Sequence, residues 1–284
     1  MAEPAAHNNR RPVGVFDSGV GGLSVWREIT RQLPCEATIY IADQIHIPYG
    51  PKPAETLCRY ADGIVRFLLA CDCKAIVVAC NSASAAALKH LRAQFPEIPF
   101  IGMEPAVKPA ARGTRSRVVA VLATPATLQG ELFAATTERH AQGIKIIGEP
   151  CPGLVARIES NQAHTPETEA MLRTFLAPAL AAGADHVVLA CTHYPFVIDT
   201  IRRIVGPNAE VIDPAPAVAR HLGRILAERG LAVDDTCSDA PVHRFFTTSD
   251  TGIFACALRD FIDVRLAASA LEWIGDARLQ ARAC

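Results

Sequence analysis

The chain has 284 residues, of which 50% are hydrophobic and 20% charged; this excludes a disordered polypeptide and allows one large or two medium domains. Lysine and arginine number 28 against 29 acidic residues, and the resulting net charge of −1 provides no basic face for a nucleic-acid backbone. Aromatic residues make up only 6%, which argues against a platform on which bases or sugars stack.

The ten cysteines are interpreted as free thiols in a reducing compartment. Residues 1–11 contain polar and charged groups and lack the apolar region of a secretory signal. No run of about 18 apolar residues predicts a membrane span. We therefore expect a cytoplasmic protein with no membrane partner.

Short apolar runs recur along the chain and predict strands buried on both faces of a parallel sheet. They span residues 13–16, 38–42, 75–79, 118–122, 144–147, 186–189 and 210–212. Longer segments between them, including 54–69, 82–95, 127–140 and 167–182, predict helices. This alternation indicates right-handed βαβ units and an α/β fold.

The chain also repeats itself at long range. VVACNS at 77–82 resembles VLACTH at 188–193, 111 residues later, and VGVFDS at 13–18 resembles VAVLAT at 119–124, 106 residues later. Two similar offsets in the same order predict two pseudo-symmetric lobes, each a mostly parallel sheet flanked by helices. Crossings at 104–109 and 213–216 place the first lobe at 1–104 and 214–284 and the second lobe at 105–213. Because ligands of open α/β sheets lie beyond the carboxyl ends of the strands, we expect a site in the cleft between the lobes.

Two cysteines stand out. Cys80 and Cys191 each end an apolar strand and open a predicted helix, where free N–H groups and the helix dipole lower a thiol pKa. A buried structural cysteine is the alternative for either residue alone, but equivalent places in two halves favour a functional pair. His193 is a candidate to orient or charge-balance Cys191, against the alternative of a structural hydrogen-bonding group.

Other kinds of site have weaker support. Cys71 and Cys73 are too close for a usual zinc pair and have no second pair, so no metal is predicted. The glycine-rich loop at 17–23 lacks the Lys-Ser/Thr ending of a phosphate-binding loop, and its glycines are expected to bring Asp17 and Ser18 close to a small ligand. None of the five lysines lies in a strand-end motif where a pyridoxal Schiff base would form, so no cofactor is expected.

Taken together, the motifs resemble the glutamate racemase family of the cofactor-independent aspartate/glutamate racemase superfamily. The matching segments are GVFDSGVGGL at 14–23, Asp43 with PYG at 48–50, ACNSASA at 79–85, EPAVK at 104–108, AT at 123–124 with Thr127, CP at 151–152 leading to Glu159, CTHYP at 191–195 and TTSD at 247–250. They run in family order over nearly the whole chain after about residue 12. Ser82, Ala190 and Ser249 depart from the residues usual in the family.

The resemblance implies an enzyme that interconverts L- and D-glutamate without a cofactor and supplies D-glutamate for peptidoglycan. Inverting an α-carbon requires one group to remove a proton from one face and another group to deliver a proton to the other face. By resemblance Cys80 and Cys191 are these groups, with Asp17 assisting near Cys80 and with Glu159 and His193 assisting near Cys191. The positions implied to hold the substrate are Asp17, Ser18, Pro48, Tyr49, Gly50, Asn81, Ser82, Thr124, Thr127, Thr192 and His193.

Two alternatives stay open at this point. The first is a racemase of the same superfamily that acts on aspartate or a related amino acid. The second is a two-lobed protein that binds a small amino acid without chemistry, although such a protein has no need of two symmetric thiols. The expected partner is in each case a small molecule, and a homodimer is compatible with either enzyme.

Overall fold

The computed structural model describes residues 9–234, 240–275 and 277–282. Its strands are β1 (Val13–Asp17), β2 (Thr38–Ala42), β3 (Ala75–Val78), β4 (Phe100–Gly102), β5 (Val118–Ala123), β6 (Lys145–Pro150), β7 (His186–Ala190), β8 (Glu210–Ile212), β9 (His243–Thr247), β10 (Ala268–Ile274) and β11 (Arg278–Ala281). Its α-helices are α1 (Leu23–Gln32), α2 (Ala54–Ala70), α3 (Asn81–Gln94), α4 (Val107–Gly113), α5 (Pro125–Gln129), α6 (Glu131–His140), α7 (Leu154–Glu159), α8 (Pro166–Ala181), α9 (Ile198–Val205), α10 (Ala215–Glu228) and α11 (Thr251–Ile262).

The strands form two separate sheets. The first has the order β11-β10-β9-β2-β1-β3-β4 and the second has the order β6-β5-β7-β8. All pairings are parallel except the hairpin of β10 with β11. The order β2-β1-β3-β4 is repeated by β6-β5-β7-β8, strand for strand. This confirms the α/β fold with two pseudo-symmetric, mostly parallel sheets flanked by helices.

The central strands are buried on both faces, as their continuous apolar composition predicts. Every residue of β1, β2, β3 and β7 is buried. One apolar core extends from the first sheet, under α1 and α10, to the second sheet, under α8 and α9. A separate core lies between the first sheet and helices α2 and α3. Packing on both faces fixes the carboxyl ends of β1, β3, β5 and β7, which carry the polar motifs.

Several sequence predictions need correction. The helix predicted over 127–140 is divided into α5 and α6 because Gly130 adopts an extended backbone. The crossing predicted at 104–109 runs into α4, which begins at Val107. Strands β4, β9, β10 and β11 were not predicted; β10 mixes small, polar and apolar residues without a continuous apolar run.

After Asp213 the chain returns to the first sheet, where α10 packs against α1 and β9 pairs with β2. The domain limits of 1–104 with 214–284, and of 105–213, stay a prediction. Of the ten cysteines, eight are free thiols, and Cys237 and Cys284 lie outside the described residues, as does the polar segment 1–8. Within the described part of the chain, no helix is long and apolar enough to cross a bilayer.

Candidate active site

A cavity of about 250 Å³ lies between the two sheets, at the carboxyl ends of their strands, and its size suits a small ligand. Most of the predicted site residues line it, namely Ser18, Pro48, Tyr49, Gly50, Cys80, Asn81, Ser82, Thr124, Cys191, Thr192 and His193. Asp17, Thr127 and Glu159 are not at its wall. A larger surface groove beside α8 is lined by Arg173, Glu169 and Arg203, which already pair with one another.

Cys80 follows β3 and caps the first turn of α3, where the Ala83 N–H donates to Sγ at 3.5 Å. The thiol lies 3.9 Å from the Ser18 hydroxyl oxygen. Burial, together with the charge of Asp17, nevertheless raises the pKa of Cys80 well above its usual range. The sequence prediction of a lowered pKa is therefore wrong for Cys80, because loss of hydration outweighs one N–H donor at the helix start.

Asp17 ends β1 and is completely buried. Its carboxylate accepts hydrogen bonds from the Ser18 N–H at 2.7 Å, from the Gly22 N–H and from the Thr192 hydroxyl at 3.2 Å. Burial raises the pKa of Asp17, although the charge of His193 and a hydrogen bond with Cys80 oppose the shift. Asp17 therefore lies behind the cavity wall, where it contacts residues of both lobes.

The glycine-rich loop makes room for side chains of the second lobe. A Cβ atom at Gly19 would overlap the Glu159 carboxylate, and a Cβ atom at Gly21 would overlap the His193 ring. These glycines were predicted to bring Asp17 and Ser18 close to a ligand. The structure shows a further requirement, because only glycine permits the second-lobe acid and imidazole to approach this backbone.

Cys191 is the first member of a short chain of polar contacts. His193 Nδ1 lies 3.8 Å from Cys191 Sγ, and His193 Nε2 lies 2.6 Å from Glu159 Oε1. Burial opposes the charged imidazole, yet the contacts with Cys191 and Glu159 raise the pKa of His193 well above its usual range. Burial likewise opposes the charged Glu159, but bonds from His193, Val20 and Gln44 lower the pKa of that carboxyl. The arrangement favours an imidazolium held between a thiol and a carboxylate.

The helix predicted directly after Cys191 is a short 3-10 turn at Tyr194–Val197, with α9 following it. The N-terminus of an α-helix therefore does not lie at this thiol. Its charge environment comes instead from His193, which the sequence analysis named on proximity alone.

Polar groups from both lobes meet across the cavity. The Ser82 and Thr124 hydroxyls are 2.9 Å apart, and the Thr124 and Thr127 hydroxyls are 3.0 Å apart. Thr124 also caps α5 by accepting from the Thr127 N–H. The Asn81 side chain is 3% exposed, and neither its amide oxygen nor its amide nitrogen has a hydrogen-bond partner among the described residues. An unpaired buried amide at a cavity wall indicates that a polar ligand completes its hydrogen bonds.

The loop with Pro48, Tyr49 and Gly50 is fixed from behind. The Tyr49 hydroxyl donates to Asp43 at 2.6 Å, so its proton is not available to a ligand. Asp43 also accepts from Trp273 Nε1 at 2.7 Å. Tyr49 and its neighbours thus contribute shape and backbone groups to the cavity.

The sequence analysis missed several residues of the site. Cys151 and Tyr194 line the cavity, and burial raises the pKa of Cys151 to about 12. Gln44 and Thr247 lie behind Glu159. Cys151, Tyr194 and Thr247 belong to segments already quoted in the family match, whereas Gln44 lies between two of those segments and carried no signal.

The model of the Asp/Glu/hydantoin racemase family matches residues 13–222. A glutamate racemase of Roseiflexus sp. (strain RS-1) is 51% identical over 78% of this chain and 81% of its own length. The glutamate racemase of Pseudomonas aeruginosa PAO1 is 48% identical over 84% of this chain and 88% of its own length.

Solved structures of glutamate racemases are also similar to this chain. Glutamate racemase isoform RacE1 of Bacillus anthracis has a TM-score of 0.83 at 32% identity and covers 93% of this chain and 98% of its own. Escherichia coli glutamate racemase, solved with L-glutamate and the activator UDP-MurNAc-ala, has a TM-score of 0.78 at 29% identity and covers 96% of this chain and 100% of its own. Picrophilus torridus aspartate racemase, at 17% identity, shares the fold with a TM-score of 0.51.

Proposed function

The chain belongs to the glutamate racemases of the Asp/Glu/hydantoin racemase family, and we propose that its cleft interconverts L- and D-glutamate by proton transfer between Cys80 and Cys191. The observation that carries this proposal is the placement of two thiols at equivalent strand ends of two sheets, in one small cavity. Groups that come from opposite lobes can reach opposite faces of one α-carbon, which inversion requires.

In the direction from L- to D-glutamate, the Cys191 thiolate removes the α-proton and the electron pair stays on the substrate as a planar carbanion. The Cys80 thiol then delivers its proton to the opposite face, and the α-carbon is inverted. After this turnover Cys191 is protonated and Cys80 is a thiolate, which is the state that D-glutamate requires. Exchange with solvent returns both thiols to their starting state.

The surroundings of the two thiols support this order. Burial raises the pKa of Cys80, so the resting enzyme keeps its proton there. The imidazolium of His193, held by Glu159, lies next to Cys191 and stabilises a thiolate at that position. The free enzyme is thereby prepared for L-glutamate.

Binding of the substrate is assigned to short polar groups and to backbone. The Asn81 amide and the hydroxyls of Ser18, Ser82, Thr124 and Thr192 supply hydrogen bonds for two carboxylates and one ammonium. Thr127 contacts the Thr124 hydroxyl from behind the cavity wall. The loop of Pro48, Tyr49 and Gly50 closes one side of the cavity. Among the described residues at the cavity wall there is no arginine or lysine, and small neutral groups suit a site that accepts both enantiomers.

The same proposal covers the biological setting. The reaction uses no cofactor or metal, takes place in the cytoplasm and supplies D-glutamate for peptidoglycan. A homodimer, and the lobe limits given above, are part of this proposal.

The test uses the wild-type chain with L-glutamate or L-aspartate and no added cofactor, followed by optical rotation. In heavy water, the first D-glutamate formed should carry solvent deuterium at the α-carbon, whereas unreacted L-glutamate stays largely unlabelled. Cys80→Ser and Cys191→Ser should each reduce racemisation on the order of 10²-fold or more, because a hydroxyl is a far weaker acid than a thiol. Cys256→Ser changes an exposed thiol and is the matched control.

Three results would contradict the proposal. Faster racemisation of aspartate would identify an aspartate racemase, and binding of glutamate without racemisation would identify a binding protein. Early product that retains the original α-proton would indicate a single base in place of two.

A further inference from the structure

Gln44 lies in a short 3-10 turn directly after β2 and Asp43. Its side-chain nitrogen donates to Glu159 Oε2 at 3.0 Å, and its side-chain oxygen accepts from the Thr247 hydroxyl at 2.8 Å. The Ser249 N–H donates to that same hydroxyl oxygen at 3.1 Å. Because the Thr247 oxygen already accepts from Ser249, its own proton is directed to Gln44. The Gln44 amide is thereby fixed with its NH₂ group towards Glu159.

The orientation of the Glu159 carboxylate depends on its hydrogen bond with Gln44. It ends α7 on the second-sheet side of the cleft, whereas Gln44 and Thr247 lie at the ends of strands of the first sheet. Its Oε1 accepts from His193 and from the Val20 N–H at 2.7 Å. For Oε2, the hydrogen-bond partner found among the described residues is Gln44. A carboxylate held at both oxygens has one orientation, and that orientation directs Oε1 to the imidazole.

We propose that Gln44 is a positioning residue that fixes Glu159 across the cleft and through it His193 and Cys191. This inference rests on the proposed racemase function. Gln44 does not line the cavity and is not expected to touch the substrate. Its main effect should be on proton transfer at Cys191, since Glu159 contacts His193 directly, whereas the direct contacts of Cys80 involve Asp17, Ser18 and Ala83.

The test is Gln44→Met, which keeps the length of the side chain and removes both hydrogen bonds. Thr247→Val is a second variant, which leaves Gln44 in place but frees its amide to turn. Ile45→Ala, one residue along the same turn and 63% exposed, is the matched control. Thermal unfolding shows that each variant is folded before kinetics are compared.

The rate alone cannot show which thiol is affected, because an equilibrium constant of one between enantiomers makes kcat/KM equal in both directions. The primary isotope effects with α-deuterated L- and D-glutamate separate the two transfers. In Gln44→Met we expect kcat/KM to fall on the order of tenfold, as for loss of one hydrogen bond to a charged group. The isotope effect should rise with L-glutamate, whose proton goes to Cys191, and fall towards one with D-glutamate. Thr247→Val should show the same pattern with a smaller rate loss.

The role assigned to Gln44 would be overturned if the isotope effects of folded Gln44→Met equalled those of the wild type. It would also be overturned if the isotope effects changed in the same direction for both enantiomers. The same holds if Ile45→Ala reproduces the pattern of Gln44→Met. A wild-type chain that does not racemise glutamate would instead refute the proposed function, so the two failures are distinguishable.

Discussion

Replacing Glu159 by glutamine removes a charge from the site while keeping the size of the side chain. In the wild type one carboxylate oxygen accepts from His193 at 2.6 Å and from the Val20 N–H at 2.7 Å, and the other accepts from Gln44 at 3.0 Å. In Glu159→Gln the new oxygen can keep the first two contacts. The new NH₂ group then faces the NH₂ group of Gln44, which Thr247 prevents from turning.

The expected loss of activity in Glu159→Gln can be worked out from these hydrogen bonds. A hydrogen bond to a charged group contributes about 1.5–3 kcal/mol and a neutral one about 1 kcal/mol, so the bond to His193 loses about 1 kcal/mol. The contact between two donors adds about 1–2 kcal/mol for unsatisfied groups. Together the loss is about 2–3 kcal/mol, which corresponds to a decrease of about 30-fold to 10²-fold in kcat/KM.

The change also alters the pH dependence. Although burial opposes the imidazolium, contacts with Cys191 and Glu159 raise the pKa of His193, so wild-type His193 stays charged at neutral pH. Without the carboxylate this pKa falls, and the variant should lose activity relative to wild type as the pH rises from about 6 to 8. The ion pair of His193 with Glu159 also stabilises the fold. This contribution disappears as the pH rises through the raised pKa of His193, and it also disappears as the pH falls through the lowered pKa of Glu159.

The assay is the initial rate of racemisation of L-glutamate, followed by optical rotation between pH 6 and 9. Glu97→Gln removes the charge of an exposed acid and should leave the rate and pH profile unchanged. If the racemisation rate of Glu159→Gln stayed within threefold of the wild-type rate over this whole pH range, the expected effect of Glu159 on Cys191 through His193 would be refuted.

Three further outcomes are expected. Limited iodoacetamide should inactivate the enzyme by modifying Cys191 before Cys80, because burial raises the pKa of Cys80. Glutamate should protect the enzyme from this inactivation. The expectation would be contradicted if peptide mapping showed that the loss of activity follows the modification of exposed Cys256. Chelation followed by hydroxylamine should leave the racemisation rate unchanged, and a large loss that metal or pyridoxal phosphate restores would show a cofactor. Lys74→Met should lower the free energy of unfolding in urea by about 3–5 kcal/mol, because it leaves buried Glu36 without the Lys74 ammonium that lies 2.6 Å from it. Lys74→Met with Glu36→Gln should recover part of this loss, and a loss below about 1 kcal/mol in the single variant would show that the pair contributes little.

The sequence determined the parts of the fold that depend on local pattern. Apolar runs of three to five residues predicted β1, β2, β3, β5, β6, β7 and β8 close to their observed limits. The burial on both faces that such runs indicate is complete in β1, β2, β3 and β7, whereas residues of the edge strands β6 and β8 are half-buried or exposed. The shared spacing of two cysteine motifs predicted equivalent strand ends in two lobes. The motif match also named most residues at the cavity wall, because the motifs directly follow the strands whose carboxyl ends form that wall.

The tertiary structure decided how those residues behave chemically. The local pattern at Cys80 predicted a lowered thiol pKa, but burial by both lobes reverses its direction. Tyr49, which the family resemblance places at the substrate, donates its hydroxyl proton to Asp43. The role of Gln44 follows from contacts with Thr247, 203 residues away, and Glu159, 115 residues away. Desolvation and hydrogen-bond partners are supplied by atoms distant along the chain, so only the folded arrangement of the two sheets sets the charge state of this site.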